Sequence, residues 1–215
     1  MKRSSMSRRQ KQAETRSALL DAATKIFCRR GLAHASVDEV AEQAGYTKGA
    51  FYANFKSKEE LFLVMLDEKF AAELERIEKA LAGGDDPGEE ARHATEDVVR
   101  FAHADPEWPK LFFEFTAYAG RNEEFRQELA TRCRTLRDRL AEVYRRWSAD
   151  FPAEPPIPLR DIATMTSCMA NGFLMQQLIE PELPEELSGT MMAVFFLGMQ
   201  ALATGWVPPP KVHSG

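Results

Sequence analysis

The chain has 215 residues, 44% hydrophobic and 28% charged, enough apolar side chain for one or two packed domains of ordinary composition. Its formal net charge of −5 hides a polarity, since residues 1–60 hold 12 Lys+Arg against 7 Asp+Glu, and a basic head on an acidic body suits docking on phosphate. Three scattered cysteines (Cys28, Cys133, Cys168) exclude a disulfide framework and suit a reducing cytoplasm. No apolar run approaches the roughly 20 residues that span a bilayer, and no apolar stretch follows the basic N-terminus as a signal peptide requires.

Residues 1–11 are expected to form a flexible basic arm. The first helix follows, with Thr15 and Arg16 leading into Leu19, Ala23, Ile26 and Phe27 on one face. Arg29 and Arg30 fall in its last turn, where they oppose the helix dipole, and Gly31 ends it. Ser36 and Glu39 have capping-box spacing, and Val37, Val40, Ala41 and Ala44 give a short helix a small apolar face. Gly45 stands where a left-handed residue closes that helix. Thr47 can cap another, with Lys48, Gly49, Phe51 and Tyr52 in its first turn and a half. Two short helices hinged by one glycine, over about residues 36–55, read as a helix-turn-helix whose second helix enters the major groove N-terminus first. On spacing alone an ordinary helical hairpin stays open. Ser57 with Glu60 then caps a fourth helix.

The run T-R-x-x-L-L-x-A-A, then F-x-x-x-G, then S-V-D-E-V-A-x-x-A-G-Y-T-K-G-A-F-Y-x-N-F-K-S-K-E-E-L resembles the N-terminal domain of the TetR family of transcriptional regulators, from about Thr15 to Leu66 without a gap. The resemblance implies that Thr47, Lys48, Gly49, Tyr52 and Lys58 match positions commonly used on DNA. Asn54 departs from the histidine or tyrosine more frequent in the family. The chemistry agrees. Lys48 is placed to meet a guanine acceptor, and Gly49 lets the helix press toward the groove floor. Thr47 can touch base or phosphate. Tyr52, Ser36 with its free helix amides, Lys56 and Lys58 supply phosphate contacts. Phe51 and Phe55 read as core, and Arg16 as either a backbone contact or a solvated residue.

Beyond Lys58 the chain reads helical, with breaks at 83–88, 105–106, 120–122, 151–158 and 181–184. Leu66, Phe70, Leu74, Ile77 and Leu81 line a long fourth helix, and Leu129, Cys133, Leu136, Leu140, Val143 and Trp147 keep the seam of a bundled helix. Strand-like alternation is lacking. The expected fold is all-α, about nine helices, with a DNA-binding domain over 12–58, an effector and dimerisation domain over 59–207, and a flexible tail over 208–215. The last two helices are apolar nearly all round, which predicts a four-helix dimer interface using Met165, Met169, Phe173, Met191, Phe195 and Met199; a large intramolecular core is the alternative. The segment 171–184 is similar to the penultimate-helix region of many family members.

The resemblance further implies an inducer pocket in the central helices, for which Trp108, Phe112, Phe115, Tyr118, Asn171, Phe173 and Gln176 are candidates, with Phe101, Phe113, Glu114 and the four histidines beside them. No catalytic or phosphate-loop motif is found, so an enzyme is not expected, nor a cofactor or metal. The reading is a homodimeric regulator that binds double-stranded DNA at a palindromic operator, a repressor released by a small-molecule effector. A regulator without such an effector and a nonspecific architectural DNA binder remain alternatives.

Overall fold

The computed structural model describes residues 7–82, 87–105, 107–149, 151 and 153–205, apart from the side chains of residues 87–89, 98–99 and 101–103. The arm's residues 1–6, the break at 83–86, the tail, His213 and the side chains of Phe101 and His103 lie outside them. Nine helices and no strand occur among the described residues: α1 Arg8–His34, α2 Val37–Gln43, α3 Lys48–Tyr52, α4 Lys58–Ala80, α5 Pro87–Ala104, α6 Glu107–Ala119, α7 Glu123–Trp147, α8 Leu159–Ile179 and α9 Glu186–Ala203.

Two compact units divide them. The first comprises residues 1–71 and 105–132, the second residues 72–104 and 133–215. This division differs from the boundary expected at residue 58. The reason is aromatic: α6 packs Phe115 edge-on against Phe27 of α1 and stacks it on Phe62 of α4, so α6 joins the head's own core. Phe115, Phe62 and Phe27 are all fully buried.

Helix α1 begins earlier than expected, inside the segment read as an arm. Ser7 accepts from the Gln10 amide while the Gln10 side chain accepts from Ser7 N–H, a reciprocal cap that carries helix back to Arg8. Gly31 breaks α1 as its residue type demands, with φ at 71° inside what is otherwise one helix. The next amide, Leu32 N–H, donates to Glu114 Oε1 of α6 at 2.8 Å. Glu114, a sequence candidate for ligand contact, thus serves as a pin between α6 and the kink in α1.

In the second unit α5 and α9 pack closely: a Cβ on Gly189 would lie 2.7 Å from Glu96 Oε1. The core there gathers Leu74, Leu81, Leu140, Val143, Ile162 and Ala163. Helix α9 is, by length and composition, apolar enough to cross a membrane, which the search for a 20-residue apolar run did not register. Its contacts with α5 and α8 give the same composition a role in packing.

Candidate nucleic-acid interface and body cavities

Each helix of the helix-turn-helix is held at its start by a side chain. Ser36 Oγ accepts from Glu39 N–H at 3.2 Å and Glu39 Oε2 accepts from Ser36 N–H at 3.1 Å, the full reciprocal box. Beside it, the Ser36 amide and hydroxyl hold Glu39 well below the usual carboxylate range. Arg30 of α1 pairs with Glu39 at 3.0 Å and ties α2 to α1. Gly45 takes φ 76° and turns the chain. Thr47 Oγ1 then accepts from Ala50 N–H at 3.2 Å and starts α3.

Below α3 the anchors are aromatic. Phe51 is fully buried and Phe55 nearly so, both core as expected. The guanidinium of Arg16 lies 4.4 Å from the centre of the Phe55 ring and donates to Asn54 O at 3.2 Å, so Arg16 braces the turn after α3 from within the protein. Asn54, where the sequence departs from the family, donates from Nδ2 to Ala50 O at 2.8 Å. That bond closes the C-terminus of α3.

The outward edge is what remains. Thr47, Lys48, Gly49 and Tyr52 are exposed together, with Ser36 and Lys56 exposed on neighbouring turns. A Cβ on Gly49 would meet only Thr47 Oγ1, at 3.7 Å, so packing within the free chain does not require glycine there. Lys48 Nζ is paired with Asp38 Oδ2 of α2 at 2.9 Å, a bond that raises the lysine pKa. Lys58 behaves differently from expectation. Its ammonium donates to Leu32 O and Ala35 O, capping the end of α1, so only one of its three donors is left for phosphate.

The α6 aromatics expected to line a pocket pack among themselves and against α4 and α7 in the first unit. Trp108, Phe112, Phe115 and Tyr118 all belong to the first unit, where Phe112 meets Phe70, and Tyr118 meets Phe125 and donates to Glu59 Oε1. Asn171 and Gln176 are exposed on α8, while Phe173 is buried in packing. None of these seven borders a described cavity of the second unit.

Among the cavities of that unit, two border Tyr144 and Phe196. One, about 60 Å³, is apolar, lined by Trp147, Phe151, Leu159, Ile162 and Met199 among others. The other, about 50 Å³, is bordered by Glu73, Ile77, Thr95, Leu140, Thr166 and Ser167 with Met192. Glu73 borders a void, so the residue is partly accessible while its carboxyl group is desolvated, which pushes its pKa up to about 7. Sequence reading missed Glu73. The signal was there: it stands three residues after Phe70 and four before Ile77, an acid on the inward stripe of α4. Burial also pushes the Cys28 thiol up to about 11, which leaves it unactivated.

Residues 19–65 match the family model described as bacterial regulatory proteins, tetR family, and residues 87–195, half of the chain, match that of the BetI-type transcriptional repressor, C-terminal. The chain belongs to the TetR family. It is a DNA-binding transcriptional regulator of that family, with the family's all-α fold. The uncharacterised regulator YfiR of Bacillus subtilis is 26% identical over 80% of this chain and 83% of its own length. FasR of Mycolicibacterium smegmatis, a transcriptional activator, is 35% identical, but over 47% of this chain and 46% of its own. Among solved structures, SmeT of Stenotrophomonas maltophilia in complex with triclosan superposes with a TM-score of 0.66 at 22% identity, covering 94% of this chain and 98% of that one, a likeness of fold.

Proposed function

We propose that this TetR-family member acts as a homodimeric repressor, with one α3 from each protomer in successive major grooves of a palindromic operator, and that a small molecule in the second unit releases it. The observation that carries the DNA-reading assignment is the exposed row Thr47, Lys48, Gly49 and Tyr52 above a fully buried Phe51. Packing fixes the helix, so its polar edge is presented without a rearrangement to make. Lys48 reads a base edge, Thr47 and Tyr52 set register on the backbone, and Gly49 admits close approach. Ser36 and Lys56 seat phosphate. Lys58 contributes to DNA binding mainly by holding the end of α1.

For the dimer, the exposed apolar side chains revise the expected face. On α9 they are Leu187, Val194, Leu197 and Leu202, and on α8 Met165, Met175, Leu178 and Ile179. Phe195 and Met199 pack on their own core, and Phe173 is buried, so these three do not serve the interface. Met169 and Met191 are half-buried and sit at its margin. Gly172 and Gly198 stand where a Cβ would meet nothing, leaving room for a second copy's backbone to come near. Repression is supported by the description of the matching C-terminal model, and effector control by the triclosan complex of SmeT. Release then requires unequal effector affinity for the two shapes of the dimer.

Selecting bound sequences from a random duplex pool tests the reading. Recovery of a palindrome, and repression of a reporter bearing it, is the expected result. Enrichment of no sequence over the pool would point to an architectural binder instead, and stimulation of the reporter to an activator.

A further inference from the structure

The hydroxyl groups around Glu73 give its cavity a chemical bias. Four border it, on Thr95, Tyr144, Thr166 and Ser167. Each spends its single hydrogen elsewhere. Thr95 donates to Ala91 O at 2.8 Å, Tyr144 to Thr166 Oγ1 at 3.0 Å, Thr166 to Ile162 O at 3.0 Å, and Ser167 to Ala163 O at 2.7 Å. What these groups have left is lone pairs. Glu73 adds a carboxyl group that meets no hydrogen-bond donor or cation among the described residues, and desolvation alone accounts for its perturbed titration.

With Glu73 ionised, this wall accepts hydrogen bonds and donates none, so it rejects anions and gives a carbonyl-bearing molecule no partner. A cation that carries N–H groups can donate to as many as three of these oxygens and also neutralises the carboxylate. The remaining wall is apolar, with Tyr144 and Phe196 set edge to face at 5.5 Å, so it favours a hydrocarbon chain behind the charge. We propose that this cavity binds a protonated short-chain alkylamine, its ammonium on Glu73 and the hydroxyl oxygens and its chain against Phe196. The volume of about 50 Å³, a third of the roughly 150 Å³ that accommodates benzene, restricts the guest to one or two carbons. This names the effector class and rests on the reading of the chain as an effector-controlled repressor.

The charge state of Glu73 then governs binding. Tyr144, on α7, is the only other titratable group among the described lining residues, and burial pushes it far above neutrality; α5, α8 and α9 contribute none. An alkylammonium stays charged across the neutral range, as lysine does. With Glu73 near 7, the ionised host is about nine-tenths populated at pH 8 and one-tenth at pH 6, so affinity should fall roughly tenfold between them.

Calorimetric titration of the full-length protein with ethylammonium chloride, at pH 8 and pH 6, is the test. The expected result is saturable binding about tenfold weaker at pH 6, with ethanol, sodium acetate and tetramethylammonium chloride at least tenfold weaker at pH 8. Glu73→Gln should lose at least tenfold in affinity and its pH dependence while keeping its helical circular dichroism; Ser167→Ala, which removes one acceptor, should lose several-fold. Absence of ethylammonium binding, equal binding of ethanol, or equal binding by Glu73→Gln overturns the site, and equal binding of tetramethylammonium overturns the role of the N–H donors. Operator binding is followed separately in the same samples. Amine binding that leaves operator affinity unchanged upholds the cavity and removes its effector role, whereas release of operator by another compound, with no amine binding, does the reverse.

Discussion

Replacing Gly31 by alanine should be among the most costly single-methyl additions in the head, and the structure says why. Gly31 holds φ at 71° and ψ at 164°, a region open essentially to glycine alone, where an L side chain costs about 1–3 kcal/mol. The new Cβ would also overlap Glu114 Oε1 and lie 3.0 Å from the carboxyl carbon. Glu114 must swing away, and Leu32 N–H loses its acceptor, for about 1–2 kcal/mol more, the low part of the range because Glu114 is largely exposed. The sum, about 3 kcal/mol, corresponds to a fall of roughly 6–12 °C in Tm for a chain of this size. Scanning calorimetry on Gly31→Ala, Glu114→Ala and the double variant separates the two parts. With Glu114 already shortened, Gly31→Ala should cost only the backbone share. Equal cost of Gly31→Ala in both backgrounds would refute the pin between α6 and α1.

Lys48→Ala should weaken the selected operator roughly ten- to a hundredfold in an electrophoretic shift assay while random duplex is affected far less; equal loss on both would remove its base-reading role. Lys58→Met should lower stability by about 1.5–3 kcal/mol in urea titration, since two carbonyls lose a charged donor, and should leave the salt dependence of DNA binding nearly unchanged. Val194→Glu or Leu197→Glu should give folded monomers by light scattering, whereas Phe195→Glu should impair folding itself; monomers from Phe195→Glu alone would restore the original face. Glu73 titrates at about 7 folded and about 4.5 in a model acid, so the native state binds more protons in that window and stability declines as pH rises through it, by on the order of 3 kcal/mol. Glu73→Gln should flatten that slope in urea titrations between pH 4.5 and 8.

The head was legible because local chemistry determines it. Ser36 with Glu39, Gly45 and Thr47 act within four residues of themselves, and each does in the structure what its type and spacing demand. The body was legible only as helices. Aromatic side chains of α6 look alike whether they border a void or close a core, and their partners, Phe27, Phe62 and Phe70, lie 40 or more residues away. The same holds for α9, where neighbouring apolar positions divide between inside and outside. Phe195 goes in and Val194 out, a difference of 100° around the helix that an all-apolar sequence does not encode. Lys58 was legible only in part: a lysine placed to meet phosphate also lies within reach of the carbonyls of Leu32 and Ala35 at the end of α1, more than 20 residues away.

The contact between Lys48 and Asp38 changes how a search along duplex would proceed. In the free chain an acidic neighbour on the same hairpin already occupies the tip of α3. An exposed pair holds by about 1 kcal/mol or less, so under the proposed DNA-reading role a purine edge or a phosphate has only that small hold to overcome. Asp38 is thus a weak built-in rival for the reading group, and asparagine in its place would leave a protein that clings slightly more readily.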